Sequence, residues 1–176
     1  MRRLRPILAA ACAVALLAAP AAPASAYAAA PPARTSGTTA AAFNGRLSVW
    51  PVNGTITSPF APRWGGFHDG IDIAVPLYTP IRAAADGRVV TVGKPYLAYG
   101  DTGEVVIVAH SSTFLTLYAH MDDGPYPPTV RPGQTVAAGQ VIGYVGVTGW
   151  TTGPHVHFMT IQSARPLDPM RFLPPR

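Results

Sequence analysis

Five side chains able to do chemistry fall into three short segments. His68 and Asp72 belong to the run His68-Asp69-Gly70-Ile71-Asp72, His155 and His157 to Gly153-Pro154-His155-Val156-His157, and His120 closes Leu117-Tyr118-Ala119-His120. The chain has five histidines, and four of them are in this set. Imidazole and carboxylate are ligands that suit a zinc ion, and three of them with a fourth position open to water describe a hydrolytic site. The residue types therefore point to a zinc hydrolase.

Spacing says how such a site can close. Residues two apart on a strand share a face, with their Cα atoms ~7 Å apart. His155 and His157 then point the same way, while Val156 and Phe158 face the core. His68, Gly70 and Asp72 share parity if one strand runs through all three, with Ile71, Ile73 and Val75 on the opposite, apolar face. Were the two strands neighbours, a three-ligand cluster would close without strain. Two neutral imidazoles and one carboxylate leave zinc at +1, enough to bring the pKa of a bound water toward ~7. The remaining histidine can act as general base or support an oxyanion, and His120 can take the same kind of role. Parity alone does not decide which of His155 and His157 binds metal. Glu104 is the sole glutamate and stands in a strand with no histidine beside it, so histidine must do the proton work. His110 ends a strand without an identifiable partner and reads as structural. Trp64 and Trp150 flank the histidine segments and read as packing before groove walls.

The elements that would position these groups are strands. Short β-branched runs recur between Gly and Pro punctuation at 54–57, 71–75, 87–92, 104–109, 113–118, 140–145 and 156–159. Their length and spacing predict a mostly β fold, an antiparallel sheet arranged as a sandwich or partly open barrel. No segment has a long helical period. Two loops, Gly93–Gly103 and Met121–Gly133, exceed what a hairpin needs and are candidate binding surfaces.

Arg2, Arg3 and Arg5 precede an apolar run from Ile7 to Ala19, and Ala24-Ser25-Ala26 supplies small residues for cleavage, so residues 1–26 read as a secretory signal. Cys12 is the only cysteine and lies inside that run, which removes disulfides and thiolate chemistry from the mature chain. Residues 27–47 are rich in Ala, Pro and Thr and read as a linker; residues 48–176 form the domain. Three of the thirteen Lys and Arg residues belong to the signal, leaving ten against eight acids. That surplus is too weak to argue for nucleic acid.

The ordered set of segments resembles a known family. Ile56-Thr57-Ser58-Pro59-Phe60, Arg63, His68-Asp69-Gly70-Ile71-Asp72-Ile73-Ala74 and Pro80–Val90 are followed by Leu117-Tyr118-Ala119-His120-Met121. Val136–Gly143 and Thr148–Phe158 complete the match. From Ser48 to Leu173 the chain is similar to the lysostaphin and LytM-type zinc endopeptidases, the M23 peptidases. Ala61 replaces a usual Gly, and Asp122–Thr129 is proline-rich and longer than typical. The resemblance implies an antiparallel β fold with a groove and zinc-dependent cleavage of peptide bonds in peptidoglycan. It implies His68, Asp72 and His157 as ligands of one zinc per chain, and His120 and His155 as the catalytic histidines. It further implies a secreted, extracellular or cell-wall-associated bacterial protein, with a peptidoglycan peptide as substrate. No stable membrane insertion is expected after signal cleavage, and a monomer is expected. The alternative is an inactive peptidoglycan-binding or hydrolase-activating module of the same fold. A likeness of Val130–Gly143 to biotinyl carriers fails because the only lysine, Lys94, lies far from that hairpin in sequence.

Overall fold

A computed structural model of the chain describes residues 44–63, 65–95 and 102–176. The expected signal segment with Cys12, the linker before residue 44, Trp64, and residues 96–101 of the first long loop lie outside the described residues. The described part is almost entirely β, as expected. Twelve strands follow in order: β1 (Thr55–Ser58), β2 (Ala61–Arg63), β3 (Gly66–His68), β4 (Ile71–Ala74), β5 (Pro80–Arg82) and β6 (Gly87–Gly93), then β7 (Glu104–Ala109), β8 (Phe114–Met121), β9 (Thr135–Val136), β10 (Val141–Tyr144), β11 (His155–Gln162) and β12 (Arg165–Leu167). Among the described residues one 3-10 turn, Pro169–Arg171, is capped by the Asp168 side chain, which accepts from the Met170 N–H.

Eight strands form one antiparallel sheet in the order β1-β4-β11-β8-β7-β6-β9, with β12 pairing β11; β10-β5 and β2-β3 are separate two-stranded ribbons. β7 and β8 carry Glu-Val-Val-Ile-Val-Ala and Phe-Leu-Thr-Leu-Tyr-Ala-His-Met. Their β-branched and aromatic side chains suit a pleated surface packed on both faces. One face holds Ile71, Ile73, Val106, Val108, Tyr118, Val156 and Phe158 in the main core. The other holds a smaller cluster of Val105, Leu117, Ala119, Met159 and Ile161. Leu47 is buried in the main core, and its N–H donates to the Phe172 carbonyl at 2.9 Å.

The expectation of one strand through His68, Gly70 and Asp72 needs correction. The chain breaks after β3, and His68 reaches the site from the β2-β3 ribbon while Asp72 stands on β4 in the main sheet. Gly70 is the reason. A Cβ there would lie 2.5 Å from the Phe158 carbonyl oxygen and 2.9 Å from His157 Cε1, so the chain presses against β11 where only glycine fits.

Candidate metal centre

β4 and β11 are antiparallel neighbours with His157 directly opposite Asp72 and His155 opposite Ala74. Opposed residues on adjacent strands share a face, so the sheet itself brings one imidazole and one carboxylate together. His68 arrives from β3, where it pairs with Ala61. The three groups converge tightly. His68 Nε2 lies 3.1 Å from Asp72 Oδ1 and 3.0 Å from His157 Nδ1, and His157 Nδ1 lies 2.9 Å from Asp72 Oδ1. Among the described residues this is the His/Asp group able to hold a metal ion.

Each ring's outer nitrogen is committed elsewhere. A backbone carbonyl can only accept, so the nitrogen facing it carries the hydrogen. His68 Nδ1 donates to the Pro59 carbonyl at 2.8 Å, with Ser58 Oγ at 3.1 Å. His157 Nε2 faces Asp69 Oδ1 at 3.4 Å. With their hydrogens on those outer nitrogens, the neutral rings turn a lone pair inward, toward the Asp72 carboxylate oxygen. Three such atoms within 2.9–3.1 Å of one another call for a cation among them, either a shared proton or a metal ion. The ionisation of the cluster has the same origin. Burial pushes the Asp72 carboxyl up, but the hydrogen bonds and charge of His157 and His68 outweigh it and hold Asp72 well below the usual carboxylate range. Burial pushes His157 down, yet the Asp69 and Asp72 carboxylates raise it above its ordinary value. Arg63 adds a further positive group, with Nη1 2.8 Å from Ser58 Oγ and 3.5 Å from Asp72 Oδ2.

His120 and His155 stand beside the three. Their rings are 4.7 Å apart, and His120 is 6.1 Å from the His157 ring. His120 Nδ1 donates to the Thr148 carbonyl at 2.7 Å, and His155 Nδ1 donates to the Gly153 carbonyl at 2.8 Å, with Thr151 Oγ1 at 3.2 Å. In both rings Nε2 keeps its lone pair. His155 Nε2 is 3.6 Å from Asp72 Oδ1. Burial pushes His120 down to about 4, so it is neutral near pH 7.

His120 occupies an irregular place on β8. Between the Glu104↔Met121 and Val106↔Tyr118 pairs, Ala119 and His120 oppose the single residue Val105. His120 there has a left-handed backbone, φ 58°. Such bulges re-aim a side chain out of the strand's alternation, and strain of this kind gathers at functional sites.

All five candidate residues thus gather in one place. His110 does not join them: its Nδ1 donates to the Asp86 carbonyl at 2.8 Å and its Nε2 lies 2.8 Å from Thr116 Oγ1. Trp150 is two-thirds exposed and is not core packing. Sequence reasoning overlooked Asp69, Ser58 and the carbonyls of Pro59, Thr148 and Gly153. Asp69 had a signal, being an acid beside His68; the carbonyls had none, because any residue type supplies one.

Residues 66–169 match the profile of Peptidase family M23. Three curated relatives illustrate the range. The uncharacterized lipoprotein YgeR of Escherichia coli K12 is 38% identical over 131 residues, 74% of this chain and 49% of its own length. The peptidoglycan DD-endopeptidase ShyB of Vibrio cholerae is 38% identical over 105 residues, 59% of this chain and 22% of its own. The murein hydrolase activator NlpD of Salmonella dublin is 38% identical over 127 residues, 72% of this chain and 31% of its own. The chain therefore spans half or less of the length of these relatives. Among solved structures, a zinc-containing peptidase from Vibrio cholerae aligns at TM-score 0.61 and 35% identity, over 74% of this chain and 40% of that one. The catalytic domain of lysostaphin from Staphylococcus simulans aligns at TM-score 0.62 and 29% identity, over 72% of this chain and 98% of that domain.

Proposed function

The chain belongs to peptidase family M23, and on that footing we propose that it is a zinc-dependent endopeptidase cutting peptide bonds in peptidoglycan. The observation that carries this reading is the convergence of three acceptor atoms, His68 Nε2, Asp72 Oδ1 and His157 Nδ1, whose other nitrogens are already engaged. Zinc bonds of about 2.0–2.1 Å at the tetrahedral angle put donors about 3.3 Å apart. The separations of 2.9–3.1 Å fall a few tenths short, so a small outward shift of side chains seats one ion.

His68, Asp72 and His157 would hold the metal. Bound there, zinc supplies Lewis acidity toward a scissile carbonyl and lowers the pKa of water toward ~7. The protein's own part is proton handling and orientation. His155 Nε2, on the cluster's edge, accepts a proton from the attacking water and returns it to the leaving amine nitrogen. The Gly153 carbonyl holds that ring in the required tautomer. His120, held by Thr148, presents the lone pair of a second Nε2 across the site, where it can accept a hydrogen bond from the attacking water's other O–H and orient it. Asp69 and the Pro59 carbonyl fix the tautomers of the two metal-holding rings.

Arg2, Arg3 and Arg5 with the apolar run after them support export, as does the similarity to a lipoprotein. The substrate is then the peptide part of the bacterial wall. The similarity to the murein hydrolase activator NlpD supports a second reading, a module of this fold that cuts nothing itself. One experiment separates them. The purified chain is assayed for zinc by elemental mass spectrometry and for fragments released from isolated sacculi. The peptidase reading expects one zinc per chain and chelator-sensitive release; His157→Ala should lose the metal, and His155→Ala should keep it while losing release. A zinc-loaded chain that releases no fragment supports the activating module instead.

A further inference from the structure

On segments bonded to the strand end that carries His120, the surface holds three tyrosines in contact. Tyr78 and Tyr126 have ring centroids 4.8 Å apart, and Tyr126 and Tyr144 5.5 Å, with interplanar angles of 56° and 51°. Two of the rings are open to solvent: Tyr78 is 40% exposed and Tyr126 47%.

Backbone bonds tie the group to the site. The Tyr144 carbonyl accepts from the Asp122 N–H at 2.9 Å, the Val145 carbonyl from the Tyr78 N–H at 2.8 Å, and the Gly146 N–H donates to the His120 carbonyl at 2.9 Å. Three consecutive residues thus join the Tyr78 turn, the loop bearing Tyr126 and the strand end bearing His120. Asp122 Oδ2 also accepts from the Tyr126 N–H at 2.7 Å, pinning that ring's backbone.

Tyr78 is strained where it stands. Its φ is 63°, a left-handed conformation that glycine adopts freely and a bulky side chain does not. The turn alone would be better served by glycine. What tyrosine adds is an exposed ring packed at a tilt against a neighbour, and strain retained at such a place points to use of the ring.

The size and character of the patch select its occupant. A fully buried aromatic covers 150–250 Å², so these partly exposed rings offer roughly 200 Å² together. A stable protein partner needs about 800 Å² on each side. Rings with apolar faces and phenolic edges suit an uncharged ligand that presents C–H faces and hydroxyl groups in alternation, which describes a pyranose. In peptidoglycan such sugars are covalently attached to the peptide that the metal centre would cut.

We infer that Tyr78, Tyr126 and Tyr144 form a docking platform for the glycan strand of peptidoglycan, joined through Gly146 to the strand end that carries His120. The inference rests on the reading that the chain acts on peptidoglycan, but its test does not require cleavage. The full chain and a Tyr78→Gly/Tyr126→Ala double variant are titrated against glycan strands stripped of their peptides. Both chains are also assayed on intact sacculi and on a sugar-free cross-linked peptide. Tyr78→Gly relieves the backbone strain, so a melting temperature at least equal to that of Tyr126→Ala alone shows that folding is preserved. Expected is binding to stripped glycan about tenfold weaker in the double variant, with slower release from sacculi and unchanged cleavage of the sugar-free peptide. Equal glycan binding by the two chains, or none by the unaltered chain, overturns the platform. So does cleavage of the sugar-free peptide slowed as much as that of sacculi, which would make the tyrosines a peptide subsite. If neither chain cleaves anything while the double variant alone loses glycan, the platform stands and the peptidase reading fails.

Discussion

Gly70→Ala is the sharpest test of how the fold builds its metal centre. The added methyl would lie 2.5 Å from the Phe158 carbonyl oxygen, 2.9 Å from His157 Cε1 and 3.0 Å from His157 Nε2. The carbonyl belongs to the central strand β11 and cannot step aside, so the loop between β3 and β4 must lift or the His157 ring must turn. Forcing one methyl into a packed site costs about 1–3 kcal/mol. For a folded unit of this size that lowers the melting temperature by roughly 3–12 °C. Turning the ring does a second thing: it pulls Nε2 off Asp69 and swings Nδ1 away from Asp72. Losing a partner that orients a metal-holding imidazole weakens metal binding by roughly 10- to 100-fold. In saturating zinc that narrows the metal-induced stabilisation by about 1.4–2.7 kcal/mol. The assay is a thermal melt of both chains with chelator and with excess zinc, alongside a competition titration against a chromogenic chelator. A Gly70→Ala chain that melts like the original and binds zinc equally would falsify the account of Gly70 and of the broken strand.

Other substitutions probe the supporting groups one at a time. Asp69→Asn removes the carboxylate facing His157 Nε2 and should weaken zinc by roughly tenfold or more with little change in the metal-free melt, read by the same competition titration. Thr148→Val removes a hydroxyl that accepts from the Glu104 N–H and donates to the Met121 carbonyl. Leaving those groups unpaired should cost about 1–3 kcal/mol, and loosening the Thr148 carbonyl that holds His120 should slow peptide release while zinc content stays constant. His110→Gln tests pH dependence away from the metal. Burial pushes the His110 imidazole below its ordinary value, so the unfolded chain binds more protons as pH falls through about 6.5. That part of the stability is present above pH 6.5 and lost on acidification. Urea midpoints at pH 7.5 and pH 5 should therefore differ less in the variant than in the original.

Much of the architecture was readable from residue order because strands announce themselves by alternation. The runs at 87–92 and 104–109 became β6 and β7 almost residue for residue. The short pieces β2, β3, β5, β9 and β12 were not foreseen; two or three residues carry no period, and pairing geometry alone defines them. His155 and His157 share a face as parity requires, with Val156 and Phe158 fully buried on the other. The same rule misled at His68, where Gly70 ends one strand and permits another to begin at a new angle.

Residue types and spacing in the chain were sufficient to nominate the five chemical groups, because few side chains bind metal or move protons and a strand's period of two relates near neighbours. Three-dimensional contacts alone settled how those groups face one another. The inward nitrogen of each ring depends on carbonyls of Pro59, Gly153 and Thr148 and on the Asp69 carboxylate. His120 reaches the cluster through a backbone bulge opposite Val105. A carbonyl is the same in every residue, and a bulge arises from the register of two strands, so neither leaves a mark in the order of amino acids.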